Sequence, residues 1–246
     1  MHVVKLFNRF ELKYILPYYL VPELKQDILR YALPDPYGES DGCYSFSSLY
    51  YDSPDHKFYW EKVDGLKYRR KLRIRWYETE AELNEDSIMF VEIKQRVDRV
   101  TQKRRLPLKY RDALMFLDDG IVPPHEAEDA ALVDEIYSLI KLYNLQPTNI
   151  ITYDRQAFVG TDYDMGLRIT YDTHITYSIR SLRLGHYLYD GFVVPPNFVI
   201  MEIKTNERLP YWVAELVAAH QLQLIRVSKY CSGLEQAAFN NGFINS

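Results

Sequence analysis

Cysteine is scarce in this 246-residue chain, which has two, Cys43 and Cys231, far apart in sequence. That excludes a disulfide framework and a zinc knuckle, and both cysteines read as small buried hydrophobes. No run of about 18 apolar residues occurs and no basic leader precedes an apolar stretch, so no membrane segment is expected. The expectation is a soluble protein of a reducing, cytoplasmic compartment. No linker rich in Gly, Ser or Pro divides the chain, which is read as one domain over residues 1–246. The GxSxG, Walker, GxGxxG and HExxH patterns are missing, and the 6 histidines show no ligand spacing. These absences argue against a nucleophilic enzyme. A formal net charge of −4 lacks the basic balance of a general nucleic-acid binder, so no nucleic-acid partner is expected.

What is present is a core and a set of cations. Hydrophobic residues make up 47% and aromatics 15%, enough to bury a substantial core and to exclude disorder. The 22 tyrosines suit broad, half-buried sheets. From Lys67 to Tyr77 the chain reads KYRRKLRIRWY, carrying Lys67, Arg69, Arg70, Lys71, Arg73 and Arg75 and no acid. Lys71, Arg73, Arg75 and Tyr77 alternate with Leu72, Ile74 and Trp76. A period of two puts the cations on one face of a strand and the apolar residues on the other. Guanidiniums pointing the same way repel unless an anion lies across them, and phosphate matches the planar arginine fork.

The same design recurs. RFELKYI sets Arg9, Glu11 and Lys13 against Phe10, Leu12 and Tyr14, and MFVEIKQR sets Glu92, Lys94 and Arg96 against Val91 and Ile93. VIMEIKT sets Glu202 and Lys204 against Val199, Met201 and Ile203, while two further strands offer Tyr153 with Arg155 and Arg168 with Asp172. An antiparallel sheet with one solvated face gives this alternation routinely. Here, however, the acids gather elsewhere, in a run from Glu78 to Asp86 and another from Asp118 to Glu135. Cations concentrated on strands of an acidic protein suggest a focused positive cavity. VEIK at Val91 and MEIK at Met201 read as two copies of one element, hinting at pseudo-symmetry.

Strands are expected near Phe7–Leu16, Ser45–Tyr51, Lys67–Tyr77, Met89–Arg96, Arg99–Pro107, Ile150–Val159, Leu167–Tyr171, Thr176–Ile179 and Val199–Thr205. Helices are expected at Pro22–Tyr31, Tyr110–Leu117, Glu126–Tyr143, Tyr211–His220 and Lys229–Asn240, from apolar stripes at helical spacing. Glu11, Glu92 and Glu202 each sit two residues before a lysine, on the same strand face. Two readings stand: ordinary ion pairing across strands, or a site for Mg²⁺ or Mn²⁺, which take oxygen ligands and bridge to substrate phosphates. Phosphoryl transfer needs positioning and neutralisation of phosphate charge, and this inventory supplies both.

The ordered set FELKY, SLYYDSPD, KLRIRWY, VEIK, TYDRQAF, LRITYD, MEIK and VSKY resembles the vacuolar transporter chaperone (VTC) domain, a polyphosphate polymerase among the triphosphate tunnel metalloenzymes. The resemblance runs from about Phe7 to Ala238. It implies an α+β fold with a closed antiparallel tunnel of about eight strands and helices outside. It also implies transfer of the terminal phosphate of ATP to inorganic polyphosphate, assisted by Mn²⁺ or Mg²⁺. By resemblance, Lys13, Arg73, Arg75, Lys94, Arg155, Arg168 and Lys229 serve catalysis. Arg9, Lys71, Lys103, Tyr153, Lys204 and Ser228 line the substrate path, and Glu202, with Glu92 and Glu11, holds metal. Arg9 stands where related hydrolases and cyclases carry the first glutamate of an ExExK motif, which favours a longer polyanion. A triphosphatase on the same tunnel and a non-catalytic polyanion binder are the alternatives, and a membrane-associated partner is left open.

Overall fold

Alternation in the sequence becomes strands with one apolar and one charged face. The computed structural model describes residues 9–38, 41–78, 82–98, 100–186, 188–206 and 208–240, with the side chain of Arg9 outside the description. The chain forms two units, each assembled from three segments. The first takes Met1–Ser45, Tyr153–Ile175 and Val194–Val227, and the second takes Phe46–Thr152, Thr176–Val193 and Ser228–Ser246.

In the first unit, β1 (Arg9–Pro17), β2 (Ala32–Pro34), β10 (Phe198–Asn206) and β11 (Gln223–Leu224) join parts of β7 (Gln146–Gly160) and β8 (Arg168–Ser178). The order is β11-β1-β10-β8-β7, with β2 on β7. β10 pairs antiparallel with β1 on one side and β8 on the other. Tyr14 and Leu16, Val199, Met201 and Ile203, and Ile169 and Tyr171 bury on the apolar side. Against them pack Val21, Leu24 and Ile28 of α1 (Val21–Ile28), and Val213 and Leu216 of α5 (Tyr211–Ala219). Each fully buried side chain of this size contributes about 1.5–3 kcal/mol of transfer free energy.

The second unit runs β7-β3-β4-β5-β6, from β3 (Cys43–Asp52), β4 (Tyr68–Glu78), β5 (Ile88–Val97) and β6 (Val100–Lys109). β9 (Gly191–Phe192) pairs with β8. Leu72 and Ile74, Val91 and Ile93, and Leu106 and Leu108 face a core built with Leu132, Val133, Ile136 and Ile140 of α4 (Ala130–Tyr143). α4 ends at Asn144, whose φ of 50° is the left-handed turn that asparagine tolerates at a helix C-terminus. α2 (Lys57–Val63), α3 (Tyr110–Leu114), continued by a π turn over Met115–Asp119, and α6 (Lys229–Asn240) complete the unit.

Several expectations are corrected. Among the described residues eleven strands form and neither unit pairs its last strand with its first, so the sheet is open where a closed tunnel of about eight strands was expected. The edge strand β6 carries Pro107, which lacks an N–H, and the cations Lys103 and Arg105, features that discourage further pairing. The two strands expected at Leu167–Tyr171 and Thr176–Ile179 are one, β8. α4 starts at Ala130, four residues later than its pattern suggested, and Phe7 and Arg99 lie outside the described residues. Neither cysteine is in a disulfide; Cys231 is buried and Cys43 only partly so. Among the described residues no helix is long and apolar enough to cross a membrane.

Candidate functional site

The sixteen residues singled out in the sequence divide between the units; Ser228 and Lys229 lie at the start of α6, and the strand residues with described side chains lie on the sheet face opposite each unit's core. In the second unit the registers of β4, β5 and β6 build rungs across three strands. Lys71 faces Lys94, which faces Lys103, and the next rung is Arg73, Glu92 and Arg105. Arg69 with Arg96 lies beyond on one side and Arg75 on the other, so Glu92 is the one carboxylate on these rungs. Like charges directly opposite destabilise a strand pair. Arg70 falls on the other face, where it pairs with buried Glu61 at 2.5 Å.

Glu92, 1% exposed, absorbs part of this charge. Arg73 reaches its Oε2 with Nε at 2.9 Å and Nη2 at 2.6 Å, while Lys103 Nζ lies 2.5 Å and Arg105 Nη2 3.5 Å from Oε1. Burial alone would raise the Glu92 carboxyl, yet Arg73, Arg75 and Lys103 pull it down to about 2. Burial, with Arg73 and Arg75 adding repulsion, pushes Lys103 down to about 7 despite Glu92. Lys71 donates to Ser228 Oγ at 2.6 Å, and Ser228 Oγ also accepts the Cys231 N–H at 3.3 Å, just ahead of Lys229 at the start of α6.

Tyr50 was missed from the sequence. Its hydroxyl accepts a hydrogen bond from Arg73 Nη1 at 2.8 Å, and its ring stacks on Tyr230 with centroids 5.0 Å apart. Burial raises its phenol, but Arg73, Lys71 and Arg75 outweigh that and bring it down to about 8. Arg75 donates to Ser48 Oγ at 3.3 Å and lies over the Phe46 ring at 4.6 Å. The alternation of Ser48, Tyr50 and Asp52 in β3 was the available signal. Arg105 was also missed, although it shares the parity of Lys103.

In the first unit the rungs are Glu11, Lys204 and Arg168, then Lys13, Glu202 and Thr170. Lys13 Nζ lies 3.1 Å from Glu11 and 3.8 Å from Glu202, and Lys204 lies 2.5 Å from Glu202. Burial disfavours the charged Lys13, yet Glu202 and Glu11 hold its pKa above the usual lysine range. Arg155 donates Nε to Asp172 Oδ1 at 2.6 Å and Nη2 to Oδ2 at 2.8 Å, and its guanidinium lies 5.2 Å over the Tyr153 ring. Arg168 donates Nε and Nη2 to Asp35 Oδ2 at 3.1 and 2.9 Å, and bonds the Tyr44 hydroxyl. Lys13, Lys204, Arg155 and Arg168 are thus matched by Glu11, Glu202, Asp172 and Asp35. The named charges of this unit balance, whereas those of the second leave a positive surplus. Arg9 pairs with Asn206 along the backbone, and its side chain lies outside the described residues.

No three of His, Cys, Asp and Glu gather as a metal-ion group among the described residues. Glu92 has both oxygens in ion pairs with cations, and so does Glu202, with Lys204 on one oxygen and Lys13 on the other. Glu11 and Glu202 lie on one face and share Lys13. Mg²⁺ takes one or two carboxylates and completes its shell with water and phosphate oxygens, so a metal on the Glu11–Glu202 pair would have to displace a lysine, and an all-protein cage does not fit.

A helix-backed antiparallel sheet of this kind is a fold met before. A candidate adenylate cyclase from Bacillus halodurans shares it at a TM-score of 0.50, over 89% of this chain and 92% of that one, at 14% identity. The chain itself belongs to the VTC domain family, which it matches over residues 8–238. It is similar to vacuolar transporter chaperone complex subunit 4 of Trypanosoma cruzi, 25% identical over 230 residues, and of Trypanosoma brucei brucei, 26% identical over 230 residues. Both alignments cover 80% of this chain and 29% of the relative, so the chain spans under a third of the length of these relatives.

Proposed function

We propose that this chain is a phosphotransferase that moves the terminal phosphate of ATP onto a growing inorganic polyphosphate chain with Mn²⁺ or Mg²⁺. The observation that carries the reading is the rung Lys71–Lys94–Lys103, three lysines abreast, beside Arg73 and Arg75. Such a face binds an extended polyanion because phosphate oxygens add charge-assisted contacts to closely spaced cations.

Catalysis here is a matter of holding and neutralising. Arg73, Arg75 and Lys94 would grip phosphate oxygens, with Lys71 and Lys103 alongside and Ser228 and Lys229 closing the set. Glu92 fixes the Arg73 fork, and Tyr50 holds that guanidinium from its other edge, so little side-chain entropy is lost when substrate arrives. Glu202 and Glu11 would hold the metal, which when bound supplies neutralisation of charge on the transferred phosphoryl group. Lys13 and Lys204 would orient Glu202, while Arg155 and Arg168, with Tyr153, would make the supporting lattice on the charged face of the first unit.

The relatives are named as subunits of a complex, which supports a protein partner for this chain. Incubation with ATP and Mn²⁺, followed by a gel stained for polyphosphate, tests the reading. A ladder is the expected result. Orthophosphate alone would reassign the chain as a hydrolase, and no turnover would leave a polyanion binder.

A further inference from the structure

Tyr50 carries a proton for which the protein supplies no use. Its strand neighbours Leu49 and Tyr51 point into the apolar core, so Tyr50 faces the other way, toward the cations of β4. There its hydroxyl oxygen accepts the Arg73 Nη1–H at 2.8 Å, while its ring is stacked on Tyr230. The side chain is 6% exposed, and among the described residues no acceptor meets its hydroxyl proton.

Two carboxylates share this face, and both are filled. Glu92 has its oxygens in ion pairs with Arg73, Lys103 and Arg105. Asp52, two residues along β3 from Tyr50, accepts the N–H groups of Ser53, Phe58 and Tyr59 and the Tyr230 hydroxyl. The charged groups that act on the Tyr50 oxygen are Arg73, Lys71 and Arg75, which donate hydrogen bonds and accept none. A buried donor that stays unmet costs the desolvation of its group. What this position lacks is therefore an acceptor, and three cations around it favour an acceptor that is an anion.

We infer that the Tyr50 hydroxyl is a further phosphate ligand, donating its proton to an oxygen of the phosphate that Arg73 grips. The inference rests on the proposed function for the identity of the anion, and on the unmet donor for the contact. Oxygen and proton then have separate tasks: the oxygen steadies the Arg73 guanidinium, and the proton meets the substrate. Tyr50 adds a neutral donor to a set of cations, and β3 becomes a strand that touches the polyanion beside β4, β5 and β6.

Calorimetric titration of the full chain with tripolyphosphate, in a chelator and at neutral pH, tests this on wild type, Tyr50→Phe, Arg73→Ala and the double variant. Tyr50→Phe keeps the ring and its stacking and removes the hydroxyl, and Arg73 retains its two bonds to Glu92, so the fold should survive. Its affinity is expected to fall about tenfold, the loss of one hydrogen bond to a charged group. A hydroxyl that served only to hold Arg73 would no longer matter once Arg73 is gone, so the double variant separates the two tasks. In the Arg73→Ala background, Tyr50→Phe is expected to cost about a further fivefold. Equal affinities of Arg73→Ala and the double variant would overturn the inference, as would wild-type affinity in Tyr50→Phe. Wild type that fails to bind tripolyphosphate would overturn it together with the proposed function. A polyphosphate ladder from ATP with wild-type affinity in Tyr50→Phe sinks the ligand alone. Absence of a ladder, with tripolyphosphate bound by wild type and lost in steps through the variants, sinks the transfer reaction and leaves the ligand standing.

Discussion

Arg155 holds Asp172 through two hydrogen bonds of 2.6 and 2.8 Å, and Asp172 is wholly buried. A buried carboxylate gripped at both oxygens cannot lose its partner cheaply. Arg155→Met should therefore lower the unfolding free energy by roughly 3–5 kcal/mol, the cost of leaving one charge of a buried pair uncompensated. Urea denaturation checks it. A loss below about 1 kcal/mol would mean that the pair behaves as an exposed one.

Arg73 should respond differently. Removing it leaves Glu92 with Lys103, Arg75 and Arg105, and it relieves repulsion on the lysine rung. Arg73→Ala is expected to melt close to wild type. Its affinity for tripolyphosphate should fall about ten- to a hundredfold, since a charge-assisted contact is worth roughly 1.5–3 kcal/mol. Calorimetry gives the affinity and thermal scanning the stability. Normal affinity with a lower melting point would make this arginine a strut.

Glu202→Gln separates metal from anion. The amide keeps the size of the side chain and removes the charge that Lys13 and Lys204 share. Near-total loss of Mn²⁺-dependent turnover is expected, with metal-free affinity for tripolyphosphate kept or improved. Turnover with Mn²⁺ and calorimetry in a chelator measure the two sides. An active Glu202→Gln with weakened metal-free binding would show that the carboxylate serves to orient Lys204.

The dependence on pH has two limbs of opposite origin. Glu92 titrates near 2 in the folded chain against an ordinary value of 4.5, so its stabilisation is complete above 4.5 and is lost as pH falls toward 2. Glu92→Gln should flatten the acid limb of stability against pH. Lys103 titrates near 7 in the folded chain against an ordinary 10.5, so the unfolded chain binds more protons between those values and stability rises with pH there. A bound polyanion favours the charged lysine. Tripolyphosphate affinity should therefore decline as pH climbs through about 7, and Lys103→Met should remove that decline in calorimetry.

Much of the second unit's charged face was legible because alternation is local. KYRRKLRIRWY announced a strand, and β4 spans Tyr68–Glu78 with Leu72, Ile74 and Trp76 buried as their parity required. α6 was readable for a similar reason. α2 was not: seven residues carry too little periodicity, and its first turn is held by Asp52, which accepts the N–H groups of Phe58 and Tyr59 at 2.8 and 2.9 Å. β8 read as two strands because Asp172, Thr173 and His174 interrupt its apolar pattern, and His174 has a φ of 47°. The partners of the cations were beyond reach. That Glu202 meets Lys13 and Thr170, and that Arg155 meets Asp172, depends on register between strands distant in the chain, which no local pattern encodes.

The three-segment make-up of the first unit has a consequence for how the protein is made. β1 presents Tyr14 and Leu16 on its apolar face, yet its partner β10 lies near the other end of the chain. At about 5–20 residues per second, a ribosome leaves β1 without its partner for on the order of 10–40 s. Throughout that interval the nascent chain displays a sticky edge and depends on dilution or on chaperones to avoid its neighbours. Expression yield should thus be governed by translation speed and temperature more than by the stability of the finished fold.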